Sequence, residues 1–167
     1  AVRRVLTAKF ECGLFEDPYG DKHAASGGMH SLRSVELSRQ IAEESIVLLK
    51  NENNLLPLDM NKLTSIAVLG PNADQVQFGD YTLQGIKALV GEKIKINHAV
   101  GCSMMSRDTT GIGEAVEATL KSDVAVIFCG CSSASLARDY TRTNCGEGFD
   151  LSDLSLNGAQ SDLIQAV

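Results

Sequence analysis

Several features that mark particular classes of protein are missing from this sequence. No apolar stretch approaches the roughly 20 residues that a membrane-spanning helix needs, since the longest candidates are SIVLL and VAVIFC. No run of basic residues occurs either, and 15 Lys and Arg against 21 Asp and Glu give a formal net charge of -6. We therefore predict neither a membrane span nor a nucleic-acid partner, because phosphate binding needs a concentrated cationic face.

Metal-binding cysteine motifs are also missing. The sequence has 5 cysteines without CxxC spacing, namely Cys12, Cys102, Cys129, Cys131 and Cys145. Buried or spare thiols are the favoured interpretation, since a free cysteine packs as a small apolar group, and a disulfide between Cys131 and Cys145 is the alternative. We predict no metal and no cofactor. The opening AVRRVLTAKF lacks the apolar core and cleavage site of a signal peptide.

The first part of the chain predicts two helices and a linker. Val2, Val5 and Leu6 have helical spacing, and this helix ends near Gly13. Residues 14–30 include DPYGDKHAASGGMH, which has few apolar residues and is typical of an extended linker. Residues 31–51 place apolar side chains on one side of a helix, which predicts an amphipathic helix packed on a core.

Beyond Pro57 the pattern changes to short apolar runs that alternate with helical segments. SIAVLG, KIKINH and VAVIFCG predict strands, with helices near 83–90 and 112–120 between them. This order predicts an α/β fold, a parallel sheet with helices on both faces. The runs 66–69 and 124–129 predict strands buried on both faces, whereas KIKINH alternates and predicts a more exposed strand. A last helix begins near Asn157, which with Gln160 resembles a capping box.

Ligand sites of open parallel sheets lie at the carboxyl ends of the strands. Two segments leave such ends, PNADQVQFGDYT and the long polar segment 131–156, which exceeds the usual length of a strand-to-helix connection. In the second, Glu147 stands between two glycines, so its carboxylate can project from a tight turn. Asp139, Asp150 and Asp153 are further acids there. The pattern makes Glu147 a candidate catalytic acid, against a solvated loop carboxylate as the alternative.

Other candidates have weaker support. His23, His30 and His98 are interpreted as surface or capping histidines rather than ligands. GIGEAV lacks the last glycine or alanine of the dinucleotide fingerprint and no strand directly precedes it. The serines after VAVIFCG do not form a GxSxG elbow.

Ordered motifs along nearly the whole chain resemble family 3 glycoside hydrolases. They are AVRRVL with KFECGLFEDPY, ESIVLLKNENNLLPLD, IAVLGPNAD and GEGFDLSDLSLNGAQSDLIQAV. The resemblance implies a retaining exo-glycosidase of β-glucosidase or β-xylosidase type, with a barrel followed by an α/β sandwich domain. Residues 1–13 would be the last barrel helix, 14–30 the linker, and 31–167 the first part of the sandwich domain. A periplasmic or secreted location is suggested by the same resemblance.

The resemblance also assigns roles to residues. The aspartate nucleophile would lie in the barrel upstream of this chain, so the fragment alone should be inactive. Glu147 would be the acid/base, Asp150 a helper that touches substrate or positions the segment, and Asp80 and Tyr81 sugar contacts. The expected partners are an oligosaccharide or aryl glycoside and the upstream barrel.

The sequence departs from the family pattern at four places. Cys145 stands for a glutamate, Leu151 for an arginine and Asn157 for a proline, and residues 78–83 are shorter than usual. Two other functions remain as alternatives. One is a non-catalytic carbohydrate-pocket or interface module, and the other is a flavodoxin-like nucleotide-binding domain.

Overall fold

The fold is given by a computed structural model, which describes residues 2–21, 23, 26–27, 29–74, 82–131, 144–145 and 153–167. The chain divides into two compact units, Ala1–Leu56 and Pro57–Val167. The predicted division into a barrel helix, a linker and a sandwich domain stays a prediction.

In the first unit the described elements with full bounds are the helices α1 (Val2–Glu11) and α2 (Leu32–Ser45) and a short 3-10 turn (Glu52–Asn54). Ser31 caps α2, since its hydroxyl accepts a hydrogen bond from Ser34 N at 3.2 Å. The helix ends earlier than the predicted Asn51. Ile46 is extended, with φ -75° and ψ 123°, because the β-branched pair Ile46 and Val47 disfavours continued helix.

The apolar side of α2 is not covered in this structure. The sequence predicts packing on a core, but no residue of α2 is buried, and Ile41 is 59% exposed. That expectation is therefore wrong for the described residues. Helical periodicity specifies which side of a helix can be buried, but it does not supply the element that covers it.

The described residues of the second unit form a parallel three-stranded sheet, and a parallel sheet is what the sequence predicts. Its strands are β1 (Ser65–Leu69), β2 (Lys95–Ala99) and β3 (Val124–Ile127), in the order β2-β1-β3. Val68 of β1 pairs with His98 of β2 and with Val126 of β3. The helices among the described residues of this unit are α3 (Thr82–Val90), α4 (Ile112–Leu120) and α5 (Gln160–Ala166).

Helices cover both faces of β1, because successive side chains of a strand point to opposite sides. Ala67 and Leu69 belong to a core cluster with Ala115 of α4 and Leu163 of α5. Ile66 and Val68 belong to the other cluster, which includes Leu83 and Val90 of α3. The α/β fold with helices on both faces is confirmed.

The structure confirms one further expectation about this unit and contradicts two. The more exposed character of the second strand is confirmed, with Lys95 exposed and Ile96 half-buried. The prediction for residues 124–129 is wrong, because they are only half-buried and β3 is an edge strand of the described sheet. The predicted cap at Asn157 is also wrong, since α5 begins at Gln160 without a side-chain cap.

None of the helices in the described ranges has both the length and the apolar character to cross a bilayer.

Candidate functional site

The carboxyl ends of the three strands are joined by backbone hydrogen bonds. Gly70 N, just after β1, donates to Ala99 O of β2 at 3.2 Å. Phe128 N, just after β3, donates to Leu69 O at 2.8 Å, and Phe128 O accepts from Asn72 N at 3.3 Å. The segments that leave the three strands therefore begin from one connected edge of the sheet, where ligand sites of parallel sheets lie.

The glycine of GPNAD is required by this edge. Gly70 has φ +103°, a conformation that other residues rarely adopt, and a Cβ there would lie 2.3 Å from Phe128 O. Ala73 N donates to Gly70 O at 3.1 Å and closes the turn. The motif thus makes a tight turn that brings the exit of β1 against the exit of β3.

Asn72 lies in this turn and carries a buried acceptor. Its Oδ1 has no hydrogen-bond partner among the described residues, and its Nδ2 lies 3.0 Å from the place that a Cβ of Gly130 would occupy. An unsatisfied buried polar atom costs about 1–3 kcal/mol. The glycine at 130, just beyond β3, therefore leaves room for the Asn72 amide at the shared edge.

The side chain of Gln160 is a polar group within the core. It is fully buried, and its Oε1 accepts from Gly130 N at 2.8 Å. Its Nε2 donates to Gly130 O at 2.9 Å and to Asn157 O at 2.8 Å. The amide thus links the first residue of α5 to the residue from which the segment 131–156 departs.

Two asparagines extend this link across the edge. Asn157 Nδ2 donates to Asn144 O at 2.8 Å, and Asn144 Nδ2 donates to Met104 O in the segment after β2 at 3.0 Å. We call Gln160, Asn157 and Asn144 the amide chain. It runs from the exit of β3 to the exit of β2 and includes Asn144, three residues before Glu147.

Gly158 lets the amide chain approach the segment after β2. It has φ +68°, and a Cβ there would lie 2.4 Å from Ser103 O. Ala159 N donates to that same carbonyl at 3.4 Å. The residues that precede α5 are thus held against residues 103–104, which follow β2.

An open cleft of about 330 Å³ lies beside the segment that joins β2 to α4. Its polar lining includes His98, Ser103, Asp108 and Glu114. Ser103 Oγ accepts from Met105 N and Ser106 N at 3.0 and 3.1 Å. Hydrogen bonds from the backbone and hydroxyl of Thr110 lower the pKa of Asp108. Much of this polar lining is therefore used to shape the segment itself.

His98 has a structural contact. Its Nδ1 lies 2.7 Å from Val68 O on the neighbouring strand, and the side chain is half-buried. This contact holds one edge of the imidazole ring against β1. Among the described residues no group of three or more His, Cys, Asp or Glu side chains is arranged to hold a metal ion.

The predicted site residues are not themselves described. Glu147, Asp150, Asp80 and Tyr81 all lie outside the described residues. The structure does describe what flanks them. Leu83 N donates to Ala73 O at 2.9 Å, so two residues that flank the stretch with Asp80 and Tyr81 are joined directly.

The role of Gln160 was missed by the sequence interpretation, which treated it as part of a capping box. Gln160 stands three positions before Leu163, which is fully buried, and such positions share a helix face. A glutamine on the apolar face of a helix is a polar residue that must find partners in the core. That spacing was the available signal.

The cysteines are thiols, as favoured. No disulfide joins Cys131 to Cys145, and all five cysteines lie in the part of the chain that the structure describes. Cys102 is buried, and burial raises its pKa to about 11.

Comparison with known proteins agrees with this architecture. A beta-xylosidase of Formosa agariphila is 38% identical across the whole chain, which covers 24% of that protein. The lysosomal beta glucosidase of Dictyostelium discoideum is 31% identical over 78% of the chain and 19% of its own length. A β-glucosidase structure from Erythrobacter marinus matches with TM-score 0.75 and 31% identity, over 98% of this chain and 26% of that one.

The chain thus spans about a quarter of the length of the first curated relatives that it matches. The model of the glycosyl hydrolase family 3 C-terminal domain matches residues 46–167. This chain belongs to glycosyl hydrolase family 3, and residues 46–167 are part of its C-terminal domain.

Proposed function

We propose that this chain is part of a retaining exo-glycosidase that removes terminal β-D-glucosyl or β-D-xylosyl residues, and that Glu147 is its acid/base. The relatives are named as β-xylosidases and β-glucosidases, which supports this substrate class. The nucleophile would come from a barrel domain outside these residues, and the 167 residues alone would be inactive.

The chemistry requires two carboxyl groups. A retaining glycosidase needs a carboxylate to attack the anomeric carbon and a carboxylic acid, about 5 Å away, to protonate the leaving oxygen. A glutamate docked over the mouth of a barrel would lose part of its hydration. Such desolvation raises the pKa of a carboxyl group towards the working pH, which keeps it protonated until the proton is transferred. Glu147 would play this part, and Asp150, Asp80 and Tyr81 would contact the sugar.

The observation that carries the proposal is how the segment 131–156 is anchored. Its start adjoins Gly130, which two hydrogen bonds hold to Gln160 at 2.8 and 2.9 Å. Asn144, three residues before Glu147, donates to Met104 O at 3.0 Å. Anchors on both sides of the segment would favour a defined position for its acid, and proton donation depends on such positioning.

The test uses the full-length protein with Glu147→Gln. We expect kcat/KM for aryl β-glucosides or β-xylosides with poor leaving groups to fall by about 10²–10⁴-fold. The fall should be far smaller for 2,4-dinitrophenyl glycosides, because their leaving group departs without a proton. Azide should restore turnover of Glu147→Gly and yield the glycosyl azide.

Glu117→Gln is the matched control. Glu117 is an exposed carboxylate of α4 that pairs with Lys121 at 3.2 Å, so its loss should leave kcat/KM unchanged within about twofold. If Glu147→Gln also leaves turnover of poor leaving groups unchanged, Glu147 is not the acid. The chain would then act as a non-catalytic carbohydrate-pocket or interface module.

A further inference from the structure

The fully buried amide of Gln160 makes three hydrogen bonds, which a residue that only fills space in the core would not make. Its oxygen and nitrogen bind the N–H and C=O of one residue, Gly130, at 2.8 and 2.9 Å. The nitrogen also reaches Asn157 O at 2.8 Å. Only the orientation with Oε1 towards the N–H pairs every donor with an acceptor.

This set of hydrogen bonds requires the donor and the acceptor of a glutamine side chain at position 160. A glutamate would offer no donor to the carbonyls of Gly130 and Asn157, and a methionine would leave the Gly130 N–H and both carbonyls without their partner. A leucine or methionine would otherwise suit a fully buried site of this size, next to the apolar cluster of Leu69 and Leu163. The polar side chain therefore matters at this position for its three hydrogen bonds and not for its volume.

The contacts lie at both ends of the segment 131–156. Gly130 immediately precedes it and Asn157 immediately follows it. From Asn157 the amide chain continues to Asn144 at 2.8 Å and then to Met104 at 3.0 Å. One buried side chain thus sets the distance between the two ends of the segment, and through Asn157 it is connected to a point three residues before Glu147.

We infer that Gln160 is a positioning residue for Glu147, acting through Gly130 and through Asn157 and Asn144. This inference rests on the proposed role of Glu147 as the acid/base. Gln160 does not touch the reacting atoms. It holds Gly130 and Asn157, the residues that flank the segment, and the rate of proton transfer depends steeply on the position of the acid.

Kinetics of the full-length protein with Gln160→Met test the inference. A displaced acid should slow the substrates that need a proton, and a misplacement near 1 Å costs up to about 10²-fold in rate. We expect kcat/KM to fall by about 10–100-fold for aryl glycosides with poor leaving groups and by less than about threefold for the 2,4-dinitrophenyl glycoside. The plot of log kcat/KM against leaving-group pKa should become steeper.

Leu163→Ala is the matched control for loss of stability. Leu163 is fully buried in the same helix and packs in the core, and it has no part in the amide chain. Its loss should lower Tm but leave the leaving-group slope unchanged. If Gln160→Met slows every substrate by the same factor, as a purely structural residue would, the inference is overturned.

Asn157→Ala is a second variant for the case in which Gln160→Met does not fold. Asn157 is half-buried, and this change breaks the amide chain at Asn144 while it keeps the Gln160 contacts with Gly130. The slope should steepen here too, by a smaller factor. An unchanged slope in a folded Asn157→Ala protein would contradict the inference.

Glu147→Gln, measured in parallel, separates the two proposals. If the loss of kcat/KM in Glu147→Gln is the same for poor and good leaving groups, the proposed function fails. If Glu147→Gln loses more kcat/KM with poor leaving groups, and neither Gln160→Met nor Asn157→Ala does, only the positioning role fails. In the double variant Glu147→Gln/Gln160→Met, the second change should add no further steepening, because the acid through which Gln160 acts is already absent.

Discussion

The Asp123 carboxylate accepts hydrogen bonds from the backbone N–H and the hydroxyl of Thr64, at 2.7 and 2.8 Å. The same oxygen accepts from Ser65 N at 2.9 Å. Asp123 immediately precedes β3, and Thr64 immediately precedes β1. One carboxylate therefore fastens the amino ends of two neighbouring strands.

This contact predicts an acid-sensitive contribution to stability. Hydrogen bonds from Thr64, and then from Ser65, lower the pKa of Asp123. A carboxyl group with a lowered pKa in the folded state stabilises the fold above its unfolded pKa of about 4. That stability is lost as the pH falls through the lower, folded pKa. Asp123→Asn should therefore unfold at a lower temperature than wild type at pH 7, with a difference that narrows below pH 4.

Thermal unfolding of both proteins at several pH values measures this difference. Asp59→Asn is a suitable control, because Asp59 is exposed and pairs with Lys62 at 3.2 Å on the surface. Its Tm should stay close to wild type at every pH. A Tm difference for Asp123→Asn that does not change between pH 7 and pH 3 would contradict the prediction.

Gly70 and Gly113 should respond to alanine in opposite ways. At Gly70 the φ of +103° and the 2.3 Å approach to Phe128 O leave no room for a Cβ, so Gly70→Ala should cost at least about 2 kcal/mol of unfolding free energy. Gly113 lies within α4 with nothing within 4 Å of its Cβ position. Gly113→Ala should be neutral or stabilise by up to about 1 kcal/mol.

Denaturant unfolding monitored by circular dichroism gives both values. The pair matters because each change adds the same single methyl group, so any difference comes from backbone conformation and space. Equal effects at the two positions would mean that the turn after β1 is not as tight as described.

Cysteine alkylation should follow burial. Cys102 is 6% exposed, and burial raises its pKa to about 11, so at pH 8 only about one molecule in a thousand has the reactive thiolate at that position. Cys12 and Cys131 are exposed. With iodoacetamide at pH 8 we expect these two to be modified first, and Cys102 only after guanidinium is added.

Peptide mapping by mass spectrometry at timed intervals follows each site separately. The denatured protein is the control, because all five thiols should then react at similar rates. Modification of Cys102 in the native protein as fast as Cys12 would contradict its burial.

The sheet and its helices could be predicted from the sequence because their patterns are local. The α4 boundaries, Ile112–Leu120, agree with the expected 112–120. The alternation of short apolar runs such as SIAVL with helical segments predicted the parallel arrangement of the strands. The sequence predictions failed where the length or burial of an element depends on its neighbours in the fold. The extent of α2 was overestimated at Ile46, and the burial of β3 depends on what pairs with its outer edge.

The site could be predicted only as a region. The rule that ligands bind at the carboxyl ends of strands selected the segments after β1 and β3, and the structure anchors both there. The amide of Gln160 was taken for a cap because its position relative to Asn157 fits a capping box. Its actual partner, Gly130, lies thirty positions away in the sequence, and no local pattern encodes such a contact.

The glycine turn after β1 has a practical consequence for redesign. Gly70 lies against the backbone of Phe128, and Gly130 lies against the side-chain amide of Asn72. Gln160, the first residue of α5, binds Gly130. Stretches borrowed from relatives could be grafted between Ala73 and Leu83, which a backbone hydrogen bond joins, or between Gly130 and Gln160. We expect such chimeras to fold, because the strands and their packing would remain untouched.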